Sequence, residues 1–225
     1  MTLADPILVK LLQQAYSGEK AAAFAYQGHA GAVKKVDEKA AIRQIEIDEW
    51  NHRAEVLKMM DLYGVRPSKW YEFRDHLIGK TISASCYLIG WFMPFYFAGN
   101  LESGNFCEYV RMKRLFNNLG ITGHDQVLYE MSLKEKEHEV YFYDQIKDNK
   151  LLPYFERFFT WGEHKRKNDI DLLKGFRIED TNTYCVGFKE KNKATVKTKE
   201  YVNQDVIMPE AAGINVVAQG VTSQI

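Results

Sequence analysis

Two glutamate and histidine pairs with the same spacing, Glu49 with His52 and Glu135 with His138, are the residues of this 225-residue chain best placed to do chemistry. Residues three apart share a helix face. Each pair falls in an apolar stripe that advances by threes and fours: Ile42, Ile45, Glu49, His52, Val56 and Met59 in one, Leu128, Met131, Glu135, His138 and Phe142 in the other. A carboxylate and an imidazole standing where a core should be are costly unless they are paired or bind a metal. One Glu-x-x-His means little, but here both copies are in phase, and each follows a helical stretch with one glutamate in its own stripe. Glu19 lies 30 residues before Glu49, and Glu102 lies 33 before Glu135.

The halves therefore repeat: a helix with Glu, then a helix with Glu-x-x-His. Folded as an antiparallel bundle, the repeat brings four carboxylates and two imidazoles to one level of the core. Four buried carboxylates without cations would repel one another and have to protonate. Two metal ions remove that difficulty, with Glu19, Glu49 and His52 around one, Glu102, Glu135 and His138 around the other, and one glutamate of each Glu-x-x-His bridging. A set rich in carboxylate, with one imidazole per ion, suits iron or, alternatively, manganese better than zinc. The competing reading is a bundle with buried polar pairs that has lost its metals. His29, His76, His124 and His164 fall outside the stripes and read as surface or capping residues, and Tyr26 and Tyr109 as core packing. Asp48, Asp144 and Glu108 are candidates to orient the histidines.

Four helices must carry these residues. The first spans about 5 to 31, with Asp5-Pro6 as cap and first turn; the second starts after a candidate Asp37 cap and runs to about Tyr63, before Gly64. Residues 65 to 80, with Pro67, read as a turn-rich crossover. A third helical region covers about 82 to 118, bent near Pro94 and Gly99, and a fourth covers about 124 to 148. The expected architecture is all-α, a ferritin-like four-helix bundle with one long crossover. It occupies residues 1–152, followed by an extended C-terminal tail, 153–225, in which TYCVGF and ATVKTKEYV could pair as a hairpin.

Lysine plus arginine and aspartate plus glutamate number 30 each, which gives no support to nucleic-acid binding. The three cysteines, Cys86, Cys107 and Cys185, are far apart, so no disulfide framework is expected and an intracellular, reducing compartment is the default. The N-terminal residues lack the marks of a secretory signal or transit peptide. Residues 81–99 carry no formal charge, but their serines, glycines and proline favour a helix buried in the bundle or lying at a membrane face over a span.

With the six positions in view, residues 5 to 149 resemble the ferritin-like di-iron carboxylate superfamily. GEKAAAFAYQGHA around Glu19 and CYLIGWFMPFYFAG before Glu102 look most like its demethoxyubiquinone hydroxylase branch. The resemblance implies two iron ions, dioxygen activation, hydroxylation of a quinone or similar apolar small molecule, and an external electron donor. It also implies a place peripheral to a bacterial or mitochondrial inner membrane, with residues 81–99 and the tail meeting the membrane surface or a larger protein complex. Two departures stand out: the tail after Leu152 has no counterpart in that pattern, and the chain has no four-cysteine rubredoxin module. The rival function is a structural or accessory subunit of a larger assembly, with its metals structural or lost. Iron storage fits less well, because residues 64 to 99 and the tail do not suit a self-assembling shell.

Overall fold

A computed structural model describes residues 3, 5–159, 161, 175–182 and 185, and among these every regular element is helical. Helix α1 (Pro6–Ala32) starts where a sequence should start one: Asp5 Oδ1 accepts from the backbone N–H groups of Ile7 at 2.7 Å and Leu8 at 3.3 Å, and Pro6 fills the first position. Helix α2 (Val36–Leu62) has no side-chain cap. Asp37 lies inside its first turn with Glu38, where their charge complements the helix dipole instead of capping it. Gly64 follows with φ of 67°, the left-handed turn that stops the helix.

The segment read as a turn-rich crossover is a helix, α3 (Lys69–Ser85), opened by Ser68, whose Oγ accepts from Tyr71 N–H. Its pattern is inverted. Glu72, Asp75, Gly79, Ser83 and Cys86 turn toward the bundle, while Trp70, Phe73, Leu77, Ile78 and Ile82 are exposed. Small residues allow the inner contact: a Cβ on Gly79 would stand 2.7 Å from the Ala21 carbonyl oxygen, and one on Gly28 would stand 2.3 Å from that of Ser83. Those pairings also show that α3 runs parallel to α1.

Residues 86–91 form a turn with Gly90 at φ of 80°, so the expected single bent helix is instead two elements. Helix α4 (Phe92–Asn118) begins after the turn and places Pro94 in its first turn, where the missing N–H has no intrahelical partner to lose. Helix α5 (Asp125–Ile146) follows the Gly120 turn. α1 packs along α2 and α4 along α5, each pair joined by a short link and hence antiparallel. α1 meets α4, and α2 meets α5, over much smaller contacts. The long connection through α3 carries the chain back along the bundle between the two hairpins.

Two apolar clusters fill the interior. One contains Leu8, Leu12, Val56, Met60, Phe116 and Leu128; the other contains Ile42, Phe95, Tyr96, Phe142, Ile146 and Trp161. On each of α1, α2, α4 and α5 the polar residues singled out by the stripes lie between them in sequence, so a polar layer is enclosed by apolar layers. That enclosure sets up the electrostatics of the site.

The described residues beyond 152 pack on the bundle. Helix α6 (Leu152–Phe159) brings Phe155 edge-on to Phe92 and Tyr96, at 5.0 and 5.2 Å between ring centroids. Trp161 is fully buried over Gly99, with its Nε1 donating to Glu139 Oε1 at 2.8 Å. A short 3-10 helix (Ile178–Asn182) lies against α4 and α5, where Tyr129 OH donates to the Phe176 carbonyl at 2.7 Å. Cys107 and Cys185 form a disulfide, against expectation. A bond between cysteines 78 residues apart leaves no mark on local sequence pattern, because only the packing of the later segment on α4 brings the two sulfurs together. The segments expected to form a hairpin lie, apart from Cys185, outside the described residues. No helix among the described residues is long and apolar enough to cross a membrane.

Candidate metal centre

All six stripe residues converge. Glu19 comes from α1, Glu49 and His52 from α2, Glu102 from α4, and Glu135 and His138 from α5, each no more than 5% exposed. Their ligand atoms form two overlapping groups: Glu19, Glu49, His52 and Glu135, and Glu49, Glu102, Glu135 and His138. Within each group the atoms lie within 4.8 Å of one another. Glu49 and Glu135 belong to both. The glutamate of each Glu-x-x-His is thus the shared one.

The two hairpins exchange partners across the centre. His52 Nδ1 stands 2.9 Å from Glu135 Oε1, and His138 Nδ1 stands 3.4 Å from Glu49 Oε1. The distances are those of ion pairs, yet neither is aligned as a hydrogen bond. Glu19 Oε2, both oxygens of Glu49, Glu135 Oε1, His52 Nδ1 and His138 Nδ1 are buried without a hydrogen-bond partner. Buried polar atoms are nearly always satisfied, so a cluster of such atoms facing one another calls for a ligand. Carboxylate oxygens and imidazole nitrogens are the donor set of a divalent or trivalent cation, and the buried groups can hold metal ions.

The electrostatics agree. Burial, reinforced by the charge of Glu135, pushes the Glu19 carboxyl up to about 7. Glu49 and Glu102 are raised well above the ordinary carboxylate range for the same two reasons. Burial would raise Glu135 as well, but hydrogen bonding from Glu102 and the nearby His52 bring it down to about 2. Three carboxylates out of four thus resist ionisation unless positive charge enters the layer.

Several further residues hold the glutamates in place. Tyr109 of α4 donates its hydroxyl to Glu19 Oε1 on α1, and Tyr26 of α1 donates to Glu102 Oε1 on α4. Each tyrosine lies seven residues after the glutamate of its own helix and holds the glutamate of the other. The common spacing was the available signal; reading the tyrosines as packing alone missed it. Asn105 Nδ2 donates to Glu102 Oε2 at 3.2 Å and Glu135 Oε2 at 3.4 Å. Of the carboxylates considered as histidine partners, Asp48 Oδ2 lies 3.1 Å from His138 Nε2, fixing the ring with Nδ1 toward the centre, whereas Asp144 pairs with Lys147.

The remaining histidines are elsewhere. His124 bonds the Tyr63 hydroxyl at 2.7 Å, His76 stands edge-on to Phe24, and His164 lies outside the described residues. His29, expected at the surface, is only 2% exposed. It lines a largely apolar cavity of about 440 Å³ between α1, the end of α3 and α4, with Tyr26 on the same wall. Tyr26 therefore stands between that cavity and Glu102. No family model, curated protein or solved structure matches this chain, so its functional reading rests on this geometry.

Proposed function

We propose that the chain is a ferritin-like di-iron carboxylate protein, most like the demethoxyubiquinone hydroxylase branch, which hydroxylates an apolar, quinone-like substrate with dioxygen. The observation that carries this reading is the convergence of six buried donor residues in two groups that share Glu49 and Glu135. The helix order, two antiparallel hairpins joined by one long crossover, supports it. When bound, two iron ions, or manganese in their place, supply the activation of dioxygen that no side chain can perform.

The protein holds and shapes this centre. Glu19, Glu49 and His52 face one ion position and Glu102, Glu135 and His138 the other. Tyr109, Tyr26 and Asn105 keep the outer glutamates in place, and Asp48 orients His138. The apolar layers on either side exclude water. The 440 Å³ cavity offers an apolar substrate a place beside Tyr26 and Glu102. Electrons come from an external donor.

The exposed apolar side chains of α3, together with exposed Leu88 and, on α6, Phe158 and Phe159, support attachment to a membrane surface or a larger protein complex. The same face favours the second reading, an accessory subunit whose metals are structural. Metal analysis of native protein, an anomalous scattering map and turnover with reductant and oxygen separate the two. Two ions at the six residues with substrate oxidation supports the hydroxylase. Two ions without oxidation of any quinone-like substrate leaves the accessory subunit. Protein that takes up neither iron nor manganese when both are supplied sinks the enzyme.

A further inference from the structure

The cavity beside Tyr26 meets a second one, of about 580 Å³, bordered by the α1–α2 link and the turn before α4. His29, Cys86 and Pro94 line both. His29 is held there edge-on to Phe95 at 4.6 Å and stacked on Phe142 at 5.9 Å. Its Nε2 is buried with no hydrogen-bond partner. Among the other polar side chains at hand, the Tyr26 hydroxyl is engaged with Glu102, Ser85 Oγ with the Ile82 carbonyl at 2.7 Å, and Trp91 Nε1 and Lys35 Nζ with Glu38 at 2.9 and 2.8 Å, while Lys34 and Tyr87 line only the second cavity. The Cys86 thiol is buried and a weak donor.

An imidazole in an apolar wall, short of one partner, is a means of selection. Apolar surface takes hydrocarbon with little discrimination, whereas a buried polar atom penalises a ligand that leaves it unpaired. We propose that His29 is the specificity-determining residue of this cavity, binding a hydroxyl group on an otherwise apolar ligand. A hydroxyl suits the site because it can donate to a bare Nε2 or accept from a protonated one. Burial pulls the imidazole down to about 4, so at neutral pH it is an uncharged ring selecting a neutral group. This inference deepens the proposed function, since it rests on the cavity being the substrate's.

The test uses two matched probes, 4-butylphenol and butylbenzene, which differ in one hydroxyl group, with binding to the full-length protein followed by calorimetry. The native chain is expected to prefer the phenol about tenfold, the worth of one buried hydrogen bond to an otherwise unpaired group. His29→Phe is expected to abolish the preference while still binding butylbenzene, and His29→Gln, which keeps a donor and an acceptor, to retain part of it. Equal affinity of the native chain for the two probes overturns the proposal, as does a phenol preference that survives in His29→Phe. Absence of phenol binding at millimolar concentration overturns it too. Metal-stripped and iron-supplied protein are measured side by side, so a chain that takes up no iron but still selects the phenol through His29 refutes the di-iron reading and leaves the selectivity standing.

Discussion

Replacing Glu19 by glutamine should make the metal-stripped protein more stable while weakening its hold on metal. Glu19 is 5% exposed, and burial with the charge of Glu135 raises its carboxyl from 4.5 to about 7. The folded state thus retains a proton that the unfolded chain releases. Stability from this group is full below pH 4.5, falls as pH rises from there, and levels off above about 7. A shift of that size corresponds to about 3 kcal/mol. Glutamine has the same shape, keeps the oxygen that accepts from Tyr109 and carries no charge. The variant should therefore gain up to about 3 kcal/mol over native protein at pH 8, roughly 6–12 °C in Tm for a chain of this length, and little at pH 4.5. Denaturant titration of stripped protein at the two pH values measures both. With iron or manganese added the order should reverse, because native protein gains the binding energy and the variant lacks a ligand. A variant less stable than native stripped protein at pH 8, or one that gains equally at both pH values, refutes the picture of a layer destabilised by its own carboxylates.

Three further outcomes follow from other parts of the structure. Asp48→Asn should lower metal affinity on the order of 10–100-fold, because His138 loses the carboxylate that orients it, as seen by competition with a chelator of known affinity. Burial raises the Glu72 carboxyl, but hydrogen bonds from Arg53, Lys20 and Ser17 outweigh it and bring the group down to about 2. Its contribution is present above pH 4.5 and lost as pH falls toward 2; after allowance for solvent screening it amounts to about 1 kcal/mol, and Glu72→Gln should flatten that part of the acid unfolding curve. Reducing the Cys107 to Cys185 disulfide should cost about 2–4 kcal/mol and expose residues 175–182 to protease before the bundle is cut; unchanged stability and cleavage on reduction would show that packing alone fastens this segment.

The helix-borne residues were legible because burial imposes a period. A glutamate in phase with leucine and isoleucine declares its side of the helix by spacing alone, and two such series, 30 and 33 residues after their partner glutamates, declare a shared layer. The same logic found no helix at α3, where polar and small residues face inward and the aromatic ones outward, so the segment reads as a turn-rich crossover. Pro94 suggested a bend in a continuous helix; the Gly90 turn places it in the first turn of a new one. His29 lies ten residues from Glu19 and three beyond Tyr26, and its burial depends on α4 and α5 closing over it through Phe95 and Phe142. Tyr26 and Tyr109 needed only to be read as a pair.

The thin contact between the hairpins gives the centre a mechanical role. α1 with α2 and α4 with α5 lie close along their length, whereas α1 with α4 and α2 with α5 approach over fewer residues, and the residues that can hold the ions reach across that approach. Each tyrosine, each histidine and each shared glutamate reaches from one hairpin to the other. Cations held there would act as a clasp, fastening two preformed halves at mid-height, and their removal should let the halves slide past each other before either one melts.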